Sequence, residues 1–307
     1  MILIAYFVLI FFSIQLLVSA ANVLVKPTLR NTQANFNELV SVLIPARNEE
    51  NNITNILSDL QHQTYGNIEI IVFDDQSTDR TAKLVAEMAQ YDKRIRLIQS
   101  SGLPEGWLGK NFACHSLAEM AKGKYYLFLD ADVRLDEYVI VKYISYLHKN
   151  NLGLLSVFPK QFMYSIGEKM VVPLMNYILL TLLPLFLVHR SQFASLSAAN
   201  GQFMLFDAET YKKILPHKKM KSERVEDIKI ARHYKKEGQT TACLTGSHEI
   251  SCRMYSGFND AVNGFSKNVV MFFGNSYVLA FLFWLLSTFG FIAVWLALPG
   301  VWFWHFA

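Results

Sequence analysis

KYYLFLDAD, residues 124–132, decides the fold. Tyr125, Tyr126, Leu127, Phe128 and Leu129 form an apolar run that stops at Asp130-Ala131-Asp132. A run this short and this apolar reads as a strand buried on both faces. Upstream, residues 39–45 (LVSVLIP), 68–73 (IEIIVF) and 95–99 read as strands of the same kind. Between them the apolar residues change to helical spacing over residues 49–61, 79–90 and 111–121, with Thr78 or Asp79 expected to cap the second helix. Alternating strand and helix predicts an α/β fold: a mostly parallel sheet with helices on both faces. Such sheets bind ligands beyond the carboxyl ends of their strands, where this sequence puts its acidic residues.

The ends of the chain differ from this middle. Residues 1–25 contain no Asp, Glu, Lys or Arg. As a helix they would extend about 37 Å, against a bilayer core of ~30 Å. A cleaved signal peptide would carry a basic start and a shorter apolar core, so an uncleaved transmembrane anchor is expected. Residues 268–307 again lack all four charged types, and 277–298 suit a second span. Pro299-Gly300 reads as a turn, and 301–307 as the start of a further hydrophobic element, which implies a chain cut short or a short interfacial stub. The expected organisation is an anchor at 1–25, a catalytic domain at 38–267 and a C-terminal membrane region at 277–307. Within the middle, 170–189 is apolar but interrupted by Pro173 and Pro184, which predicts an interfacial or re-entrant segment. Lys26, Arg30, Arg253 and Lys267 flank the two spans, so the positive-inside rule predicts a multi-pass protein of the cell membrane with its middle in the cytoplasm.

Composition removes several classes. The cysteines are Cys114, Cys243 and Cys252, an odd number without a CxxC pair, which speaks against a disulfide framework or a zinc cluster. A net charge of +4 is mild, and much of the surplus lies in 217–236. That basic stretch is either a solvated helix face or an attraction for a nucleotide diphosphate or lipid headgroups. No interleaving of aromatic and basic residues supports nucleic-acid binding.

Three acidic sites carry the candidate chemistry. Alternate residues of an extended stretch face one way, so Asp130 and Asp132 can address one site. Two hard oxygen ligands suit Mg2+ or Mn2+ with phosphate and water completing the shell, although aspartates also simply end strands. Asp74 and Asp75 open a polar turn that either accepts hydrogen bonds from a base or ribose, or only caps a helix. Glu226-Asp227 stands in a charged helical pattern; a carboxylate there can take a proton from an acceptor hydroxyl, or be plain surface charge.

Together these sites resemble the inverting glycosyltransferases of family 2, which implies their nucleotide-binding, Rossmann-like fold of the GT-A type. VLIPARNEE (42–50), FDDQSTDRT (73–81), LDAD (129–132) and VED (225–227) look like that family's two nucleotide loops, metal motif and base. GWLGKN (106–111), NGQF (200–203) and GFSKN (264–268) resemble more closely the membrane glycosyltransferases of carotenoid biosynthesis, which act on a diaponeurosporenoate carboxylate. The resemblance implies that Pro45, Ala46 and Glu49 border a UDP-sugar donor, with Asp75 at the uracil or ribose and Lys110 at the phosphates. It implies Asp130 and Asp132 for nucleotide and a divalent metal, and Arg253 at the diphosphate. Asn200, Gly201 and Gln202 would line the side of a lipophilic acceptor drawn from the membrane lipid. Asp227 would be the general base with Glu226 beside it. Processive members carry QxxRW; here Ile250 replaces the Gln and Met254 the Trp, which implies a single transfer. Two further readings remain: within the same enzyme class, a glycosyltransferase making a glycolipid of the ceramide or hopanoid type or a short glycan, and, from another class, a nucleotide-binding membrane scaffold without turnover. A nucleotidyltransferase would open with a glycine-rich basic loop, and residues 45–49 contain no glycine.

Overall fold

The computed structural model describes residues 2–25, 29, 37–266 and 269–297. Lys26, Arg30 and Lys267, the 299–300 turn and the 301–307 element lie outside the described residues. In chain order, α1 (Ile2–Leu24) precedes β1 (Val40–Ala46), α2 (Ile53–Gln61), β2 (Ile68–Asp74), α3 (Thr81–Tyr91) and β3 (Ile95–Gln99). Next come α4 (Gly109–Met120), β4 (Tyr125–Leu129), β5 (Val133–Leu135), α5 (Val139–Lys149), β6 (Leu154–Phe158) and β7 (Lys160–Gln161). Three short helices follow: α6 (Ile166–Val171), α7 (Pro173–Leu182) and α8 (Leu185–Arg190). The chain continues through β8 (Phe203–Asp207), α9 (Ala208–Ile214), α10 (Pro216–Lys219), α11 (Glu226–Lys236), β9 (Thr241–Thr245) and β10 (Ile250–Cys252). It closes with α12 (Phe258–Ser266), a 3-10 turn (Val269–Phe273) and α13 (Tyr277–Ala297).

These elements form two compact units. One comprises Pro27–Phe162 and Leu185–Met254. It holds a seven-stranded sheet in the order β3-β2-β1-β4-β8-β6-β9 and a three-stranded sheet in the order β5-β10-β7. β1 to β4 were expected from their apolar runs, β5 to β10 were not, and β4 pairs in parallel with β1 as the alternation predicts. β8 departs from it, running antiparallel to both β4 and β6, so the sheet is mostly rather than wholly parallel. The pleat divides β4 between two cores. Tyr125, Leu127 and Leu129 pack with α2, α3 and α5, while Tyr126 and Phe128 pack with α4, α9 and α11, the period-two alternation of a strand buried on both sides.

Three helix starts differ from expectation, α4 among them, which begins at Gly109 rather than Asn111. α2 begins at Ile53 rather than Glu49, because the amides of Glu49 and Glu50 are held by Thr81 Oγ1 (2.8 Å) and Asp79 Oδ2 (3.1 Å) instead of entering a helix. α3 begins at Thr81 with Arg80 in the cap position. The expected cap, Asp79, still supplies an oxygen, accepting from the Thr81 N–H at 2.9 Å from one residue further out.

The other unit comprises Met1–Lys26, Met163–Pro184 and Tyr255–Ala307. Two of its helices, Ile2–Leu24 and Tyr277–Ala297, are long and apolar enough to cross a membrane. They pack closely: a Cβ on Gly290 would meet Val8 Cγ1 at 2.9 Å, so glycine lets the backbones approach. The 170–189 tract is three helices, not one. Pro173 starts α7, whose ten residues extend only about 15 Å. Pro184 has no N–H for the Leu180 carbonyl four residues back. Asn22 Nδ2 donates to that carbonyl and to Leu183 O, both at 2.9 Å, and Ser19 Oγ donates to Leu180 O at 3.4 Å.

Candidate active site

Topology gathers the acidic sites onto one edge of the seven-stranded sheet. β1, β2 and β4 are parallel, so Ala46, Asp74-Asp75 and Asp130 emerge from the same edge. Strand order reverses beside β1, where such sheets open a crevice for ligand. β8 runs the other way with Phe203 opposite Leu129, which brings the preceding Asn200-Gly201-Gln202 to that edge. α4 and α11 each lead into a strand of this direction, so both helices begin there. Their N-termini carry Gly109-Lys110-Asn111 and Glu226-Asp227, and unpaired N–H groups at a helix start favour anions.

The loops after β1 and β2 interlock. Asn48 takes the left-handed conformation (φ 57°) that asparagine tolerates. Its Oδ1 accepts from the Thr78 N–H at 2.8 Å, and its own N–H donates to Ser77 Oγ at 2.9 Å. Arg80 N–H donates to Glu50 Oε2 at 3.2 Å. Asp75, buried, donates its N–H to Ala46 O at 2.8 Å and faces Arg47 Nη1 at 3.4 Å. A Cβ on Gly109 would lie 2.7 Å from Asp75 Oδ2, so any larger residue there would displace that carboxylate. Pro45 and Ala46 are the final β1 pairs, opposite Phe73 and Asp74.

A negatively charged group lies at the mouth of the crevice. Lys110 Nζ stands 2.7 Å from Asp130 Oδ1 and 2.8 Å from Oδ2. Burial opposes the Lys110 charge, but Asp130 and Glu226 outweigh it and hold the ammonium above its ordinary value; the side chain is 41% exposed, so solvent screens part of this. Burial, then the charges of Asp130 and Glu49, push the Asp132 carboxyl up to about 7. Burial likewise raises Glu49, against the hydrogen bond from Asn52 Nδ2 at 2.8 Å. Among the described residues no group of three His, Cys, Asp or Glu is placed to hold a metal by itself. Asp130 and Asp132 fit a hard divalent cation that takes its remaining ligands from phosphate and water. Repulsion between these carboxylates is what such a cation relieves.

Beside this group, Asp227 Oδ2 accepts from the Gly201 N–H at 3.1 Å and Oδ1 from the Ile228 N–H at 2.7 Å. Burial raises the carboxyls of both Glu226 and Asp227. A Cβ on Gly201 would lie 3.3 Å from Lys110 Nζ and 3.6 Å from Glu226 Oε1. Glu226 and Asp227 thus share a junction with Lys110, and through it with Asp130. Asn200 and Gln202 are buried, and they turn inward. Asn200 Oδ1 accepts from the Gln202 N–H at 2.8 Å, and Gln202 Nε2 lies 3.3 Å from Asp132 Oδ2 and 3.2 Å from Cys252 Sγ. Arg253 directly follows β10, which pairs antiparallel with β5 and ends at Cys252 opposite Val133.

Sequence reasoning overlooked the role of Asn111. It is 1% exposed, and its Nδ2 donates to Met220 O (2.7 Å), Glu223 O (2.9 Å) and Lys221 O (3.3 Å). The signal available was a side-chain amide, directly after Gly109-Lys110, at the start of a largely buried helix.

Residues 41–215, more than half of the chain, match glycosyl transferase family 2. The chain belongs to that family. A family 2 relative, the 4,4'-diaponeurosporenoate glycosyltransferase of Staphylococcus haemolyticus, is 29% identical over 241 residues, 76% of this chain and 61% of the relative. The chain therefore spans less than two thirds of that relative's length. The β-monoglucosyldiacylglycerol synthase of Nostoc is 27% identical over 120 residues, 38% of this chain and 25% of the relative. Among solved structures, the mannosyltransferase of Pyrobaculum calidifontis in complex with GDP-Man and Mn2+ superposes with a TM-score of 0.58 at 18% identity, covering 81% of this chain and 67% of that one. S. aureus TarS in complex with UDP gives 0.50 at 16% identity, covering 70% and 60%. At these identities the likeness is one of fold, and the fold is the GT-A type expected of family 2.

Proposed function

We propose that this chain is a membrane-anchored, inverting glycosyltransferase that moves glucose from UDP-glucose to a lipophilic acceptor such as a carotenoid carboxylate. The observation that carries the reading is the junction at Lys110. Its ammonium pairs with Asp130 at 2.7 Å, and a Cβ on neighbouring Gly201 would lie within 3.9 Å of Lys110, Glu226 and Asp227 alike. Donor phosphate and acceptor proton would therefore be handled within one side chain's reach.

In the proposed reaction an acceptor oxygen attacks the anomeric carbon. The new C–O bond forms as the bond to the diphosphate breaks, and the electron pair leaves on the phosphate oxygen from the opposite face, inverting the centre. Mg2+ or Mn2+ bound at Asp130 and Asp132 would supply charge neutralisation for the leaving group. Lys110, and Arg253 just after β10, address the same developing charge. Asp227 takes the proton of a hydroxyl acceptor. A carboxylate acceptor arrives ionised near neutral pH, and Asp227 then only orients it. Pro45, Ala46, Glu49 and Asp75 border the nucleoside, and Gly201 marks the acceptor side.

Similarity to the diaponeurosporenoate enzyme supports a carotenoid acceptor. Similarity to the glucosyldiacylglycerol synthase supports a second reading, a glycolipid product. α1 and α13 serve as transmembrane anchors, the 170–189 tract lies at the interface, and the sheet faces the cytoplasm where nucleotide sugars are made. The test is to incubate membranes bearing the protein with UDP-[14C]glucose and extract lipids. Label in a carotenoid ester supports the first reading and label in a diacylglycerol glycoside the second. No labelled lipid with UDP-glucose, UDP-galactose or UDP-GlcNAc would overturn both.

A further inference from the structure

Three consecutive residues at the start of α4 reach three different parts of the site. Gly109 admits Asp75, Lys110 pairs with Asp130, and Asn111 turns away to the segment ahead of α11. That segment, residues 220–223, is closed as a turn by the Glu223 N–H to Met220 O at 3.0 Å and held again by the Leu108 N–H to Lys221 O at 2.8 Å. Glu226 and Asp227 begin only three residues later. Asn111 Nδ2 has two hydrogens and meets three main-chain carbonyls, so the 3.3 Å contact to Lys221 O is shared. A 1% exposed amide that donates only to the main chain of one turn has no role at the surface.

We infer that Asn111 is a positioning residue for the Glu226–Asp227 pair, fixing the start of α11 relative to the donor-side Lys110 next to it. This rests on Asp227 acting as base or orienting group. The physical reason is reach: without the amide, the 220–223 turn keeps the Leu108 hydrogen bond just ahead of α4 and the packing of Met220, and the carboxylates drift from the acceptor oxygen. A misplacement on the order of 1 Å costs about 100-fold in rate. The turn's hydrogen bonds to the α4 side run to Leu108 and Asn111, not to Asp75 or Lys110, so donor affinity should stay.

The experiment compares wild type with Asn111→Ala, Asn111→Ser and Lys110→Ala in membranes. It reads kcat and donor KM for glucosyl transfer, UDP binding, and amide exchange over residues 220–228. Asn111→Ala should lower kcat about 10- to 100-fold, leave KM and UDP affinity within about 3-fold, and raise exchange across 220–228. Asn111→Ser, which keeps one donor, should fall between, and it carries the comparison if Asn111→Ala does not fold. Lys110→Ala should instead weaken UDP binding. Unchanged kcat with unchanged exchange, or equal losses of kcat and UDP binding in both Asn111 variants, would overturn the inference. A wild type without turnover would overturn the glycosyl-transfer reading alone, and positioning would then be decided by exchange: unchanged protection in the variants overturns it.

Discussion

The Gly201 N–H donates to Asp227 Oδ2 from 3.1 Å. A backbone donor has no rotamer freedom, so the loop before β8 aims the carboxylate more rigidly than a side chain would. It also leaves Asp227 Oδ1 on the Ile228 N–H, within its own helix.

Asp227→Asn keeps the shape and loses the basicity. With a hydroxyl acceptor the variant should lose about 10²–10⁴-fold in kcat. With a carboxylate acceptor the loss should be much smaller. Parallel rate measurements on the two acceptor types check this, and full activity on both would remove Asp227 from the mechanism.

Gly201→Ala probes the junction. Its Cβ would press on Lys110 Nζ from 3.3 Å, and the lysine yields by bending away from Asp130. Donor KM should rise several-fold and kcat fall about 10-fold, with the melting temperature little changed because the displaced side chain is partly exposed. Calorimetry beside steady-state kinetics separates these effects.

Much of this was legible in the sequence. β1 to β4 announce themselves through apolar runs, two of which stop at acidic residues, whereas Asp75, Asp130, Asp132 and Asp227 stand out as a set through the family resemblance, Glu226-Asp227 alone reading as surface charge. What escaped depends on long-range partners. Nothing local in NGQF tells that Gln202 turns inward to Asp132 and Cys252, or that β8 runs antiparallel. Asn48 and Thr78 lock two loops together across thirty positions of sequence. Asn111 acts on carbonyls 109 to 112 residues away. Such groups are chosen by their partners, and an asparagine carries no periodic mark of what it will meet.

The carboxyls of Glu226 and Asp227 are raised by burial, which sets opposite trends for rate and stability. A base must be ionised, so the rate on a hydroxyl acceptor should climb with pH through a value above the ordinary carboxylate range of about 4. Lys110 and Asp130 are the other charges acting on the pair. Stability goes the other way: the contribution is complete below the unfolded carboxylate pKa and is lost as pH rises through the folded one. Glu226→Gln should therefore raise the melting temperature near pH 8 and change it little near pH 4. It should also move the acid limb of the rate profile downward, since one negative neighbour of Asp227 is gone. A limb that stays in place would mean another group controls it.

A divalent cation should stabilise the protein by relieving repulsion among Glu49, Asp130 and Asp132. Mn2+ with UDP should raise the melting temperature of wild type and not of Asp132→Asn. The same increase in both would place the ion elsewhere.

Asn22→Leu tests the packing of α1 on α7. It leaves the Leu180 carbonyl to Ser19 alone and the Leu183 carbonyl without its side-chain donor. Stability should fall by roughly 1–3 kcal/mol, read as earlier unfolding in detergent, with UDP binding intact.

The most direct test of glycosyl transfer is UDP release in purified membranes supplied with UDP-glucose, lipid extract and Mn2+ or Mg2+, beside an Asp132→Ala control. Metal-dependent release by wild type, abolished in the control, is the predicted result. No release from any of UDP-glucose, UDP-galactose and UDP-GlcNAc, or equal release by the control, would contradict it.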